Sequence, residues 1–116
     1  MAKKLKIFLF FLIFSLPVRA ENNFIIYGES SKETKVKIKI FSSLTCPYCA
    51  EFHTKFLPTI VQKYIPTKKV TIELLDYPLD LPALKAAQVQ KCLTPEKQKT
   101  YLDKIYLTQA NWSNAN

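Results

Sequence analysis

The chain has 116 residues but only one glycine (Gly28), one histidine (His53) and one tryptophan (Trp112). One glycine is little for a domain with several tight turns. Histidine and cysteine are just as scarce. Cys46, Cys49, His53 and Cys92 are the only candidate metal ligands of those two types, and no second CxxC pair exists. A structural zinc site takes four well-placed ligands, so no metal or other cofactor is expected. There is no apolar run of the ~20 residues that a membrane-spanning helix needs. There are no internal repeats and no low-complexity tracts, and acidic residues are outnumbered 9 to 17 by basic ones.

The excess of positive charge is partly a feature of the front end. Lys3, Lys4 and Lys6 precede an apolar stretch from Ile7 to Leu16 that is broken only by Ser15, and Pro17-Val18-Arg19-Ala20 follows. A basic start, a short apolar run and small residues before a cut site make residues 1–20 a candidate export signal, cleaved after Ala20. That segment carries four basic and no acidic residues. What remains is 96 residues with a net charge of +4, enough for one small domain. Lys32, Lys35, Lys37 and Lys39 cluster, but among apolar residues rather than stacking aromatics. A solvated strand face is expected, and no nucleic-acid partner. Once the signal is removed, no stable membrane insertion is expected either.

Along the mature part, residues 23–27 could form a short strand, and Gly28 to Thr34 reads as a polar turn. Lys35 to Phe41 alternates, with Val36, Ile38 and Ile40 on one face, which is the period of a strand. A helix is expected from about Pro47 to Ile65, with Pro47 in its first turn. Its apolar stripe would be Cys49, Phe52, Phe56, Ile60 and Tyr64, widened by Leu57 and Val61. Pro58 should kink it, because proline removes a hydrogen bond and crowds the preceding turn. Lys69 to Leu75 is a second strand, so strand, helix and strand make a right-handed βαβ unit with a parallel pair. Pro82 to Cys92 reads as a helix with Leu84, Ala87 and Cys92 inward. Thr94-Pro95-Glu96 opens a third helix, with Tyr101, Ile105 and Trp112 inward and Leu102 and Tyr106 flanking.

The chemistry concentrates in Cys46-Pro47-Tyr48-Cys49, where the first strand hands over to the long helix. Two thiols two residues apart on a first helical turn can close a small disulfide ring. There the unpaired N–H groups and the positive end of the helix dipole favour a thiolate. Cys46 is the candidate nucleophile and Cys49 its more buried partner. Pro47 and Tyr48 occupy the positions that tune the thiolate, and with it the reduction potential. A static structural bridge is the competing reading, but so short a loop constrains little chain. His53 reads first as a packing residue, with a catalytic or ligand role as the alternative, and Cys92 as a small buried hydrophobe. Asn111-Trp112-Ser113 matches a glycan acceptor pattern that is frequent by chance, and no function is assigned to it.

Phe41 through His53 (Phe-Ser-Ser-Leu-Thr-Cys-Pro-Tyr-Cys-Ala-Glu-Phe-His) resembles the active-site segment of DsbA-like thioredoxin-fold proteins of bacterial envelopes. The resemblance continues through Leu57-Pro58, Tyr77-Pro78-Leu79-Asp80, Ala86-Ala87 before Cys92, and Leu107-Thr108-Gln109 with Trp112. It covers roughly residues 35–112. It implies an α/β, thioredoxin-like fold: a short, mostly parallel sheet with a βαβ unit, followed by a helical insertion. It also implies a periplasmic protein-disulfide oxidoreductase with Cys46 attacking and Cys49 resolving. Its partners would be exported thiol-containing proteins, and a membrane redox partner is compatible with it. Family members continue into two further strands and a last helix, and carry a cis-proline facing the cysteines. Here Pro95 is the final proline, so residues 21–116 are expected to form an incomplete domain that lacks the C-terminal strands. Two other functions compete: a non-catalytic remnant of such a protein, and a glutaredoxin-like thiol transferase, since glutaredoxins commonly carry Cys-Pro-Tyr-Cys.

Overall fold

The computed structural model describes residues 24–113, so the expected signal segment, residues 1–20, lies outside the described residues. Three strands form a mixed sheet: β1 (Ile25–Tyr27), β2 (Val36–Ser42) and β3 (Val70–Asp76), in the order β1-β3-β2. β2 runs parallel to β3, from Val36 opposite Val70 to Ser42 opposite Asp76. β1 lies antiparallel on the other side of β3, with Ile25 opposite Leu74. Ile38 and Ile40 face the same way as Ile72 and Leu74, as period-two alternation requires. Lys39 on the opposite face sits 3.8 Å from Glu73.

The connection between β2 and β3 is one helical rod with two changes of pitch. α1 (Pro47–Glu51) passes into a π-helical turn (Phe52–Phe56), then α2 (Leu57–Tyr64) and a closing 3₁₀ turn (Ile65–Thr67). The π turn answers Pro58. In an uninterrupted α-helix this proline would lack its hydrogen bond and press on the preceding turn. One extra residue in the turn lets the Leu57 N–H reach the Phe52 carbonyl, and Pro58 then falls in the first turn of α2. The rod is thereby rephased. His53 and Leu57 are buried, whereas Phe56 and Tyr64, expected on the apolar stripe, are exposed.

Three further helices follow: α3 (Leu81–Lys91), α4 (Pro95–Leu107) and the short α5 (Gln109–Trp112). Asp80 caps α3 by accepting the Ala83 N–H at 2.8 Å. The buried face of α3 is Ala83, Ala86, Ala87 and Gln90, a narrow stripe that lets the helix approach closely. Leu84, expected inward, is therefore exposed, and so is Cys92, two residues past the stripe at the C-cap. Cys92 is not the buried hydrophobe that its neighbours suggest. On α4 the expected phase is also offset: Leu102 and Tyr106 are buried, while Tyr101 and Ile105, and Trp112 on α5, are half-buried. Thr94 occupies the N-cap position of α4 but makes no side-chain capping bond.

Ile25, Ile72 and Leu74 of the sheet, Leu44, Leu57, Ala86, Ala87, Leu102 and Tyr106 make one core. Gly28 closes the end of β1 with φ +84°, and a Cβ there would lie 2.9 Å from the Val70 carbonyl oxygen on β3. Gly28→Ala is expected to cost about 1–3 kcal/mol of folding stability, roughly 4–8 °C of Tm per kcal/mol in a domain of this size. Thermal unfolding followed by circular dichroism checks this, and an unchanged Tm would contradict it.

Candidate active site

The dithiol is assembled where β2 ends. After Ser42 the chain turns through Ser43 and Leu44, both buried, and the Cys46 N–H bonds back to the Ser43 carbonyl at 3.1 Å. Cys46 is the N-cap of α1 with an extended backbone (φ −77°, ψ 119°), and its carbonyl accepts the first helical bond from Ala50 at 3.1 Å. Pro47 lies in the first helical turn, where its missing N–H has no partner to lose.

Cys46 and Cys49 are both free thiols and both half-buried, a smaller contrast than the exposed and buried pair expected. They differ in acidity instead. At Cys46 burial pushes the pKa up, but the Cys49 N–H, the Cys49 thiol and the Tyr48 N–H together pull harder, and the net shift is downward. The Cys46 side chain makes no short capping hydrogen bond, so these donors act on a large, diffuse sulfur rather than through tight contacts. At Cys49 burial again raises the pKa. The Ser43 N–H opposes this, but the Cys46 thiol and charge add to it, so the net shift is upward. Pairing of this kind polarises the two thiols: one is readied as a thiolate and the other keeps its proton.

A polar lattice that local sequence reading does not disclose holds the loop. Thr45 Oγ1 donates to Asp80 Oδ2 at 2.7 Å, while the other oxygen of the same carboxylate caps α3. With the Thr45 proton committed to Asp80, the Ser43 hydroxyl becomes the donor in the 3.1 Å Ser43–Thr45 contact. Ser43 Oγ also accepts the Leu79 N–H at 3.3 Å, and Tyr77 N–H bonds the Ser42 carbonyl at 2.8 Å. Residues 35 positions apart are thus joined through a segment that looks like an ordinary turn. The one signal for it was Asp80 ahead of Pro82, an N-cap pattern.

His53 is spent elsewhere. Its Nε2 lies 2.9 Å from Asp103 Oδ1, its ring packs 4.8 Å from that of Tyr106, and it is buried. It ties α4 to the π turn, which matches the packing role. Tyr106 lies deeper. Burial pushes its phenol up to about 12; Ser42 acts in the opposite direction, while the charges of Cys49, Asp76 and Cys46 reinforce burial. The Tyr106 phenol therefore stays protonated at neutral pH. Among the described residues, no three His, Cys, Asp or Glu side chains are grouped as metal ligands would be, and no helix is long and apolar enough to cross a membrane.

Beside Cys49 runs an open cleft of ≈ 460 Å³ lined by Lys39, Ile40, Phe41, Ser42, Tyr48, Cys49 and Phe52; Cys46 is not part of its lining. Tyr48, Tyr77, Leu79 and Leu81 are largely exposed, with Tyr48 inside the motif and the other three on the segment bonded to the loop that carries it.

A thioredoxin family model matches residues 21–116. The chain belongs to the thioredoxin family. Among curated proteins, this thioredoxin-family chain is 28% identical over 99 residues to a predicted protein-disulfide oxidoreductase of Rickettsia conorii, covering 84% of this chain and 35% of that protein. It is 27% identical over 104 residues to one from Rickettsia bellii, covering 89% and 39%. Among solved structures, α-DsbA1 of Wolbachia pipientis superposes with a TM-score of 0.67 at 28% identity, over 87% of this chain and 48% of that one. A protein-disulfide isomerase from Novosphingobium aromaticivorans matches in fold with a TM-score of 0.70 at 22% identity, over 78% and 45%. The thioredoxin-like α/β fold and the DsbA-like resemblance are thus shown. The chain spans less than half the length of the curated relatives it matches.

The opposed shifts of the two thiols predict an ordered reaction with iodoacetamide, which attacks thiolates. In reduced protein with Cys92→Ser, the rate at Cys46 should reach half its plateau below the ordinary thiol pKa, and the rate at Cys49 above it. Peptide mass spectrometry across a pH series reads both, and coincident curves would refute the polarised pair. The stability linkage has the matching sign. A lowered Cys46 pKa stabilises the folded reduced protein above the unfolded value, and this is lost as pH falls through the folded value. The raised Cys49 pKa contributes below the unfolded value, and this is lost as pH rises through the folded one.

Proposed function

We propose that this chain is a protein thiol–disulfide oxidoreductase that works through Cys46 and Cys49. The observation that carries the reading is the placement of the dithiol: free Cys46 at the N-cap of α1 and free Cys49 one turn inside it, where the acidity of Cys46 is raised and that of Cys49 lowered. Family membership and the DsbA-like relatives support it. Pro47 and Tyr48 would set how strongly the thiolate is favoured, since their backbone positions lie between the two sulfurs.

Written for reduction of a substrate, the Cys46 thiolate attacks one sulfur of a substrate disulfide. A Cys46–substrate mixed disulfide forms, and the other substrate sulfur leaves as a thiolate that takes up a proton. Cys49 then loses its proton and attacks the Cys46 sulfur. The Cys46–Cys49 disulfide closes and the second substrate thiolate is released. Two electrons pass from the dithiol to the substrate; Cys49 supplies one proton, and the proton that Cys46 had already given up to solvent completes the second substrate thiol. The reverse sequence oxidises a substrate dithiol, and a well-stabilised Cys46 thiolate favours that direction because it is the better leaving group. The apolar cleft and the exposed Tyr48, Tyr77 and Leu79 suit an unfolded polypeptide rather than a small charged thiol. The basic-then-apolar residues 1–20 support export, so the working compartment would be the periplasm and the substrates exported thiol-containing proteins.

A non-catalytic remnant is the second reading, and β2 favours it: Val36, Ile38 and Phe41 are 49%, 37% and 61% exposed, an apolar strand with a neighbour on one side only among the described residues. Trapping separates the two. Cys49→Ala, incubated with a disulfide-bearing protein such as insulin, should accumulate a mixed disulfide at Cys46, and adding Cys46→Ala should abolish it. No adduct from a protein that unfolds cooperatively would support the remnant. Selective adduct formation with glutathione would support a glutaredoxin-like transferase.

A further inference from the structure

The carbonyl of Cys46 carries a second hydrogen bond that comes from the far end of the chain. Gln109, at the start of α5, is buried, and its Nε2 donates to the Leu44 carbonyl at 2.8 Å and to the Cys46 carbonyl at 3.0 Å. One carboxamide thus uses both of its N–H groups on the loop that presents the nucleophile, across 63 and 65 positions of sequence. The Cys46 oxygen is shared with the Ala50 N–H, so the same atom is the first acceptor of α1 and the anchor for Gln109.

The placement of Gln109 is itself built. The His53–Asp103 pair and the Tyr106 ring dock α4 on the π turn, and Trp112 Nε1 donates to the Ile105 carbonyl at 3.0 Å, folding α5 back against α4. These contacts set where α5 lies, and there the buried Gln109 carboxamide meets the loop. Its donors fix the peptide planes that follow Leu44 and Cys46. The Cys46 peptide precedes the Tyr48 and Cys49 N–H groups, which act on the Cys46 sulfur. A tilt of that first turn carries those N–H groups away from the sulfur, and the effect of a helix terminus fades within one turn.

We propose that Gln109 is a positioning residue of the dithiol: its carboxamide holds the first turn of α1 in the orientation that favours the Cys46 thiolate. The inference rests on the oxidoreductase reading and names a part of the same site outside the Cys-Pro-Tyr-Cys segment. Without the two donors, Leu44 and Cys46 lose a shared anchor and the helix mouth is freer to turn. The thiolate then loses part of its N–H environment while the thiol does not.

The test is thiolate absorbance at 240 nm against pH, on the reduced full chain with Cys92→Ser, comparing Gln109 with Gln109→Met. Methionine keeps the length and removes the donors. The Cys46 pKa should move upward, with about a twofold to fivefold drop in thiolate fraction at neutral pH and a matching drop in iodoacetamide rate. A merely structural role would lower the Tm and leave the titration in place. An unchanged titration in a cooperatively folding variant overturns the inference alone; an ordinary thiol pKa in the parent protein overturns the oxidoreductase reading with it. Should Gln109→Met fail to fold, side-chain amide exchange in ¹⁵N-labelled parent protein decides. Gln109 protons slower than those of the exposed Gln62 and Gln88, and shifted when Cys46 is alkylated, support the coupling. Exchange as fast as theirs refutes it.

Discussion

The site depends on a few backbone N–H groups at the mouth of α1 that have no carbonyl to bond. They exist because the first turn of any helix leaves its donors free, and they matter because Cys46 is the residue set in front of them. Burial alone would make Cys46 a weaker acid, and at Cys49 burial prevails. Desolvation opposes ionisation of both sulfurs and weighs more on Cys49; the donors that face Cys46, and the Cys46 thiol and charge acting on Cys49, widen the difference. The residue that stands at the N-cap faces the free donors, and this is why the end of β2 matters. Its parallel register, with Ser42 opposite Asp76, sets where the strand stops and the turn to the helix begins.

What was legible in the sequence is what short-range physics decides. β2 and β3 could be read because lysines and acids alternate with β-branched residues, a pattern that only a strand keeps on one face. The dithiol could be read because two cysteines three positions apart, with proline between them, suit a first helical turn. The errors lie where distant parts of the chain decide. The π turn rephased the rod, so a stripe drawn at uniform pitch put Phe56 and Tyr64 inside and left out His53. The alanine face of α3 looks weakly apolar next to Leu84 and Val89. Yet close approach favours the small side chains, and Cys92 was drawn inward by the same misjudged phase. On α4, Leu102 and Tyr106 took the core because the docking partner, the π turn at His53, sits on their side.

β2 carries two opposing messages. Its apolar side chains Val36, Ile38 and Phe41 are well exposed, which invites a further strand. Lys37 and Lys39 alternate with Val36 and Ile38 and share a face with Phe41, and charged residues on an edge discourage unselective pairing. Two copies joined antiparallel through this edge would bring lysines close to lysines, a destabilising arrangement. The edge therefore disfavours its own copy and is more tolerant of a strand with apolar or acidic residues.

The cross-links of the site form a graded series in sequence distance: Thr45 to Asp80, His53 to Asp103, and Gln109 to Leu44 and Cys46. None lies within one element, and each fastens a different helix to the segment around the cysteines. Such bonds individually contribute about 0.5–1.5 kcal/mol, somewhat more where a carboxylate takes part. Their larger effect is coupling. The core is small, and α3 and α4 contribute Ala86, Ala87, Leu102 and Tyr106 to it, so any opening of α4 and α5 removes part of it. Every such opening withdraws Gln109 and the Asp103 carboxylate together. With Gln109 as the positioning residue, the acidity of Cys46 is tied to how well α4 and α5 are docked.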